Sequence, residues 1–180
     1  MIFWVLFTVA AVAADFVTKQ IVQNEFVIGQ SKEFIHGFIE FLYIRNKGAA
    51  WGMLRDSRWV FLVLTAAAMV ILPILLFRYG RKHFLLGLSL SMMLGGAIGN
   101  MIDRVFYGSV VDFIHFEMKN FPIFNESFPV FNVADCFVTV GAVLMVVCAL
   151  IYDDVFTRGG KKREDGSAGT DSEENEDDKD

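Results

Sequence analysis

The chain has 180 residues, of which 54% are hydrophobic, and its mean hydropathy of +0.46 is too high for an ordinary soluble domain of this size. The net charge of −5 is uneven, because residues 164–180 hold nine of the 21 acidic and one of the 16 basic residues. That segment has no large apolar side chain, so we expect residues 157–180 to form a disordered tail, first basic and then acidic.

The first apolar run covers residues 2–22 and is long enough to cross a bilayer as a helix. Its stretch TVAAVAAD also resembles a cleavable secretory signal. We favour a retained span, because no Lys or Arg precedes the run and the run continues beyond Asp15. Asp15 and Lys19 are four residues apart, acid first, so they can pair on one helix face. The alternative is that this ion pair is purely structural and has no part in function.

Residues 23–58 follow and are not a simple loop. Their stretch FIHGFIEFLYIRN is rich in aromatic and β-branched residues that partly alternate, which predicts short strands. The NKG triplet at residues 46–48 is a turn signal. We expect a small β element on the membrane surface.

The second and third spans cover residues 59–77 and 84–105. The second has no charged residue, and a short basic segment with Arg78 joins it to the third. In the third span, Gly95 and Gly99 form a GxxxG pattern that favours close contact between helices. Near its end lie three polar residues at spacings that share one helix face, namely Asn100, Asp103 and Arg104.

Residues 106–132 carry Asp112 and a series of phenylalanines, and this pattern predicts an interfacial loop or a short amphipathic helix. The fourth span covers residues 133–152. Asn132 and Asp135 flank its start, where an Asn cap with an acid at the third position stabilises a helix. Capping alone would explain this pair, although it does not exclude a chemical role.

Basic residues set the predicted orientation. They are concentrated in residues 78–82, between the second and third spans, and in residues 158–163, after the fourth. Both segments are therefore expected to be cytoplasmic, as are both termini. Residues 23–58 and 106–132 then face outward, and all the polar residues within the spans lie at the outer end. Ionisable residues inside a membrane usually mark function.

No GxSxG, HExxH or glycine-rich phosphate loop is present, and the three histidines lack metal-ligand spacing. We therefore expect no metal, no cofactor and no nucleic acid partner. Two carboxylates in apolar surroundings remain, Asp112 and Asp135, and such a pair shares a proton and can activate water. A transporter or proton relay, and a scaffold without catalytic activity, are the alternatives.

Five motifs in chain order resemble those of the lipoprotein signal peptidases (signal peptidase II), which are bacterial membrane aspartic proteases. The resemblance covers residue 15 to residue 152, with Trp51 where the family usually has Phe. The motifs are DFVTK at residues 15–19, RNKGAAWG at 45–52, GNMIDRV at 99–105, VVDFI at 110–114 and FNVAD at 131–135.

The four apolar spans and the β-rich segment predict an all-α membrane protein, a four-helix transmembrane bundle with a small extracytoplasmic β element, over residues 1–156. The resemblance implies removal of signal peptides from diacylglyceryl-modified prolipoproteins at the inner membrane, with Asp112 and Asp135 as the catalytic pair. The Phe-rich loop and the β segment are candidates for clamping the signal peptide and shielding the pair from bulk water. We expect a monomer in contact with membrane lipid. The resemblance also implies roles for the remaining motif residues. Five of them would support the pair or bind the substrate backbone, namely Asn46, Asn100, Asp103, Arg104 and Asn132. The other two, Asp15 and Lys19, would brace the fold.

Overall fold

The computed structural model of the chain describes residues 1–48, 58–117 and 128–152, with side chains from residue 63 onward in the second range. The described part is mostly helical, with four helices and three strands. In chain order they are α1 (Ile2–Glu25), β1 (Ser31–Ile35), β2 (Ile39–Asn46), α2 (Arg58–Tyr79), α3 (Phe84–Tyr107), β3 (Val110–Phe116) and α4 (Val133–Ile151).

Three helices, α1, α3 and α4, are long and apolar enough to cross a membrane. They correspond to the first, third and fourth predicted spans. In α2 the apolar portion among the residues with described side chains is Val63–Tyr79, which is shorter. The structure therefore supports three of the four predicted spans. The second predicted span forms helix α2, but its described apolar portion is too short to meet the same criterion of length.

Helix α3 contacts the other three helices and is the centre of the bundle. Small residues allow this close approach. A Cβ atom on Gly95 would lie 2.7 Å from the Cβ of Ala11 in α1, and one on Gly99 would lie 2.5 Å from Oδ2 of Asp15. Gly96 faces the backbone of Ala134 in α4 in the same way. The close contact predicted from GxxxG is thus confirmed, with α1 as the partner.

The end of the bundle away from β3 is closed by an apolar cluster. Leu86 and Leu90 are fully buried there, and the ring of His83 stacks on Tyr152 at 4.0 Å between centroids. Burial of this cluster is what joins α2 and the start of α1 to the rest of the bundle. Its buried members are Trp4, Leu72, Leu76, Leu86, Leu90, Leu94 and Cys148.

The three strands form one antiparallel sheet in the order β1-β2-β3. The strands predicted from FIHGFIEFLYIRN are confirmed as β1 and β2, and Gly37, with φ +66°, lies in the turn between them. Strand β3 differs from the expectation of a loop or short helix over residues 106–132. Helix α3 ends at Gly108 (φ +68°), and Val110–Phe116 then pairs with β2. This strand is buried on both faces, so it lacks the alternation that marks a half-exposed strand.

Arg45 fastens the sheet to the ends of two helices. Its guanidinium donates to Gln23 of α1 at 2.6 Å and to the hydroxyl of Tyr43 at 2.9 Å, and it lies over the ring of Tyr107 at the end of α3. Beneath it, Val111 packs in a buried cluster with neighbours from α1 and β2. These contacts hold β3 against the bundle at the end where the polar residues of α1, α3 and α4 lie.

Candidate active site

Asp112 lies in β3 and is 2% exposed. Its two carboxylate oxygens accept hydrogen bonds from two asparagine amides, Oδ2 from Asn46 at 2.8 Å and Oδ1 from Asn132 at 2.7 Å. Burial raises the pKa of Asp112 to about 7, and the charge of nearby Asp135 adds to the rise. The two asparagine hydrogen bonds and the charge of Lys19 oppose the rise, because they favour the ionised form.

Asp135 is the third residue of α4 and closes a capping box. Its Oδ2 accepts from the backbone N–H of Asn132 at 3.2 Å, and its own N–H donates to Oδ1 of Asn132 at 2.9 Å. The capping interpretation from the sequence is therefore confirmed. It uses only one carboxylate oxygen, because Oδ1 accepts from the amide of Asn100 at 2.7 Å. Asp135 is half-buried and lines the same cavity as Asp112.

Asn132 joins the two carboxylates. It is fully buried, and its amide nitrogen contacts Oδ1 of Asp112, Oδ1 of Asn100 at 3.0 Å and the carbonyl of Val111 at 3.2 Å. Its amide oxygen meanwhile caps α4 at Asp135. One side chain thus fixes the position of β3 relative to the start of α4, and with it the position of one carboxylate relative to the other.

A buried ion cluster lies behind the pair. The ammonium of Lys19 lies 2.7 Å from Asp15 and 3.0 Å from Asp103, which confirms the pairing predicted within α1 and adds a partner from α3. The carboxylates also accept backbone hydrogen bonds, Asp15 from Ala134 in α4 and Asp103 from Val111 in β3. The cluster therefore ties all four elements that surround the site to one another.

Arg104 is placed differently from Asp103, although the two are adjacent in sequence. Its side chain lines the cavity with the two carboxylates, and its Nη1 lies 3.4 Å from the carbonyl of Asn100 one turn earlier. Asp103 is buried against β3 and is not among the cavity residues. Of the five residues expected to support the pair or hold substrate, three asparagines contact a catalytic candidate directly, Arg104 faces the cavity, and Asp103 contacts the backbone of β3.

The cavity has a volume of about 800 Å³ and combines a polar end with apolar walls. Three phenylalanines from the predicted interfacial segment form much of one wall, with Phe131 5.6 Å from Phe116 and 5.8 Å from Phe128 between ring centroids. Two others from that prediction, Phe121 and Phe124, lie outside the described residues. The site could therefore hold a ligand that is apolar over much of its length and polar at the carboxylates.

Helix α4 contributes a cavity wall that was not predicted from the sequence. Cys136, Thr139 and Val140 line the cavity below Asp135. The spacing in the sequence could have predicted this wall. Thr139 is four residues after Asp135 and Val140 is four after Cys136, and residues four apart lie on one face of a helix.

These features describe an integral membrane protein in which two aspartates, each held by asparagines, line one cavity, the arrangement of an aspartic-type protease. Residues 7–151 match the family described as signal peptidase (SPase) II, and the chain belongs to this family. It is 41% identical to the lipoprotein signal peptidase of Listeria monocytogenes serotype 4b (strain CLIP80459) over 159 residues, 88% of this chain and 99% of that one. It is 38% identical to the lipoprotein signal peptidase of Bacillus pumilus (strain SAFR-032), over 83% and 93% of the two chains.

Solved structures share the fold. A bacterial membrane enzyme solved by the in meso method at 2.3 Å resolution superposes with a TM-score of 0.75 and 32% identity, over 90% of this chain and 94% of that chain. A second, at 1.9 Å resolution, gives a TM-score of 0.73 and 34% identity, over 85% and 95% of the two chains.

Proposed function

We propose that this chain removes the signal peptide from prolipoproteins whose lipobox cysteine carries a diacylglyceryl group, cutting on the amino side of that cysteine. Membership of the signal peptidase II family supports the reaction, and the name of the relatives, lipoprotein signal peptidase, supports the substrate class. The observation that carries the proposal is the position of Asp112 and Asp135, which line one cavity with apolar walls.

In the proposed mechanism the two aspartates have different protonation states. Asp112, with a pKa of about 7, carries the shared proton near neutral pH. Asp135, which is half-buried where Asp112 is almost fully buried, is the base in this proposal. Asp135 takes a proton from water as the water oxygen bonds to the scissile carbonyl carbon, and Asp112 gives its proton to the carbonyl oxygen. Breaking the C–N bond of the resulting gem-diol then requires a proton on the leaving nitrogen, which Asp135 returns. Asp112 takes back a proton from one gem-diol hydroxyl as the carbonyl group of the new carboxylic acid forms, so both aspartates regain their starting states.

The other motif residues support this pair. Asn46, Asn100 and Asn132 hold the carboxylate oxygens through the hydrogen bonds described above. Arg104 faces the cavity, where a guanidinium can bind the carbonyl groups of a substrate backbone. The third group, Asp15, Lys19 and Asp103, braces the fold around the site.

The walls of the cavity suit a lipid-modified peptide. The aromatic wall of Phe116, Phe128 and Phe131 offers apolar surface beside the carboxylates, as a clamp on the signal peptide requires. We propose that this wall excludes bulk water while the substrate is bound, which strengthens the electrostatic interactions in the site.

We further propose that the chain lies in the bacterial inner membrane with four spans, α2 included, and with both termini in the cytoplasm. The basic residues Arg78, Arg81 and Lys82, between α2 and α3, support this orientation. The site then lies at the outer face, with the sheet and residues 106–132 outside the membrane. In this proposal residues 1–156 form a single monomeric membrane domain, and residues 157–180, outside the described residues, form the cytoplasmic tail.

A transporter or proton relay is the weaker candidate. It would require ionisable side chains along the whole length of the bundle. Among the helical residues with described side chains, the buried charged residues are Asp15, Lys19 and Asp103, all at the end beside β3, and the other end is the apolar cluster.

Cleavage of a synthetic precursor tests the proposal. The purified chain in lipid–detergent micelles is given a precursor peptide with a diacylglyceryl-modified cysteine, and the products are weighed by mass spectrometry. We expect one cut, on the amino side of the modified cysteine, because the cavity provides an apolar surface beside the carboxylates. The unmodified peptide is the matched control and should be cut far more slowly. Equal cleavage of both peptides, or a cut elsewhere, would refute the proposed specificity.

A further inference from the structure

Lys19 makes one contact that an ion pair does not need. It is 2% exposed in α1, and its Nζ lies near the Asp15 and Asp103 carboxylates and also 3.1 Å from Oδ1 of Asn100. An ammonium group has three N–H donors and no acceptor. Two donors satisfy the carboxylates, and the third is directed at a neutral amide whose other side contacts Asp135.

The contact determines which way the amide of Asn100 points. Its Oδ1 accepts from Lys19 and from the amide of Asn132, so its Nδ2 must face the opposite side, where it donates to Asp135 at 2.7 Å. A reversed amide would place its NH₂ group against an ammonium and a second NH₂ group. A charged donor on Oδ1 also polarises the amide, which strengthens the hydrogen bond that Nδ2 donates.

We propose that Lys19 is a positioning residue for peptide cleavage, acting through the amide of Asn100 on the carboxylate of Asp135. This inference rests on the proposed function and assigns Lys19 a role beyond bracing the fold. Lys19, Asn100 and Asp135 come from α1, α3 and α4. The two hydrogen bonds that join them, called the relay below, connect the buried ion cluster to the carboxylate that faces the cavity.

The charge of Lys19 acts on the other aspartate as well. It lowers the pKa of Asp112, so its removal raises that pKa further above the ordinary value. Because Asp112 is the proposed acid, the alkaline limb of the pH–rate profile should then move to higher pH. The other charged groups around Asp112 in the described residues are Asp15 on α1, Asp103 and Arg104 on α3, and Asp135 on α4. They are the same in the wild type and in a variant without Lys19, so the shift of the limb reports the Lys19 charge.

A double-mutant cycle separates positioning from bracing. The variants are Lys19→Met, Asn100→Ala and both together, assayed on the diacylglyceryl-modified precursor, with kcat expressed per folded molecule. Lys19→Met should lower kcat by about ten- to a hundredfold, the range expected for loss of a hydrogen bond to a charged group, with KM unchanged. The double variant should be no slower than Asn100→Ala alone, because Lys19 acts through that amide.

Thermal unfolding of the same variants reports the bracing role. Loss of Lys19 leaves the carboxylates of Asp15 and Asp103 without their cation, so the melting temperature should fall both with and without Asn100. The relay is refuted if the two losses of kcat multiply or if Lys19→Met keeps the wild-type kcat per folded molecule. An alkaline limb that does not move would refute only the direct effect of the Lys19 charge on Asp112.

If Lys19→Met does not fold, the cycle is run in the Asp15→Asn background, which removes one of the carboxylates left without a cation. Asp15→Asn alone is then the reference, and the same outcomes decide. Failure of the relay is distinct from failure of the proposed function. If the wild-type chain does not cleave the modified precursor, the proposed function is wrong. If it cleaves the precursor and the kcat losses of the two single variants multiply in the double variant, only the relay is wrong.

Discussion

At the scale of single residues, the site depends on asparagine amides whose two ends do different work. Asn132 caps α4 with its oxygen and contacts Asp112 with its nitrogen, and Asn46 donates to Asp112 while its oxygen accepts from the N–H of Gly48. An amide offers both a donor and an acceptor without a charge. These residues therefore hold the two carboxylates in place without adding a charge of their own.

Asn46→Ala tests this dependence through pH. The Asn46 hydrogen bond favours ionised Asp112, so its loss should raise the Asp112 pKa above about 7. Activity that needs protonated Asp112 is lost as pH rises through that pKa, so the alkaline limb of kcat should move upward, by about one pH unit for a hydrogen bond to a charged group. Lys47→Ala, next in sequence and exposed, is the control. A limb that stays in place or moves downward would contradict the assignment of Asp112 as the acid.

At the scale of elements, the sequence predicts what depends on local pattern. The spans α1, α3 and α4 follow from apolar runs, and the cap at Asn132 follows from a spacing of three residues. Strand β3 does not follow, because its pairing with β2 joins segments more than sixty residues apart and its burial removes the alternation. The Arg45 contacts with Gln23 and Tyr107 are equally non-local.

Gly95→Leu tests the contact between α1 and α3. A Cβ on Gly95 already meets Ala11 and the carbonyl of Thr8, so a larger side chain must push the helices apart, and overpacking of this kind costs about 1–3 kcal/mol. A lowered melting temperature is expected. Ala13→Leu, at an exposed position of α1, is the matched control and should have the melting temperature of the wild type. Equal melting of Gly95→Leu and the wild type would show that the two helices do not need this close approach.

At the scale of the whole molecule, one end of the bundle is apolar and the other holds the buried charges. The sequence predicted this division, because the direction of each span places Asp15, Asp103 and Asp135 at the same end. It could not predict the cavity, whose walls come from β3, α4 and the segment before α4. Nor could it separate Asp103, held by β3, from the neighbouring Arg104, because that difference depends on where the strand crosses the helix end.

The central claim is that Asp112 and Asp135 together perform the cleavage. The most direct measurement is kcat for Asp112→Asn and Asp135→Asn, made singly and assayed on the diacylglyceryl-modified precursor, with melting temperatures to confirm folding. Each amide is close in shape to the carboxyl but cannot cycle a proton, so each variant should lose at least about a thousandfold in kcat. Glu40→Gln, the same chemical change at a carboxylate that pairs with His115 in the sheet, should keep the wild-type rate. If either aspartate variant folds and cleaves at a rate close to that of Glu40→Gln, the pair is not the catalytic centre.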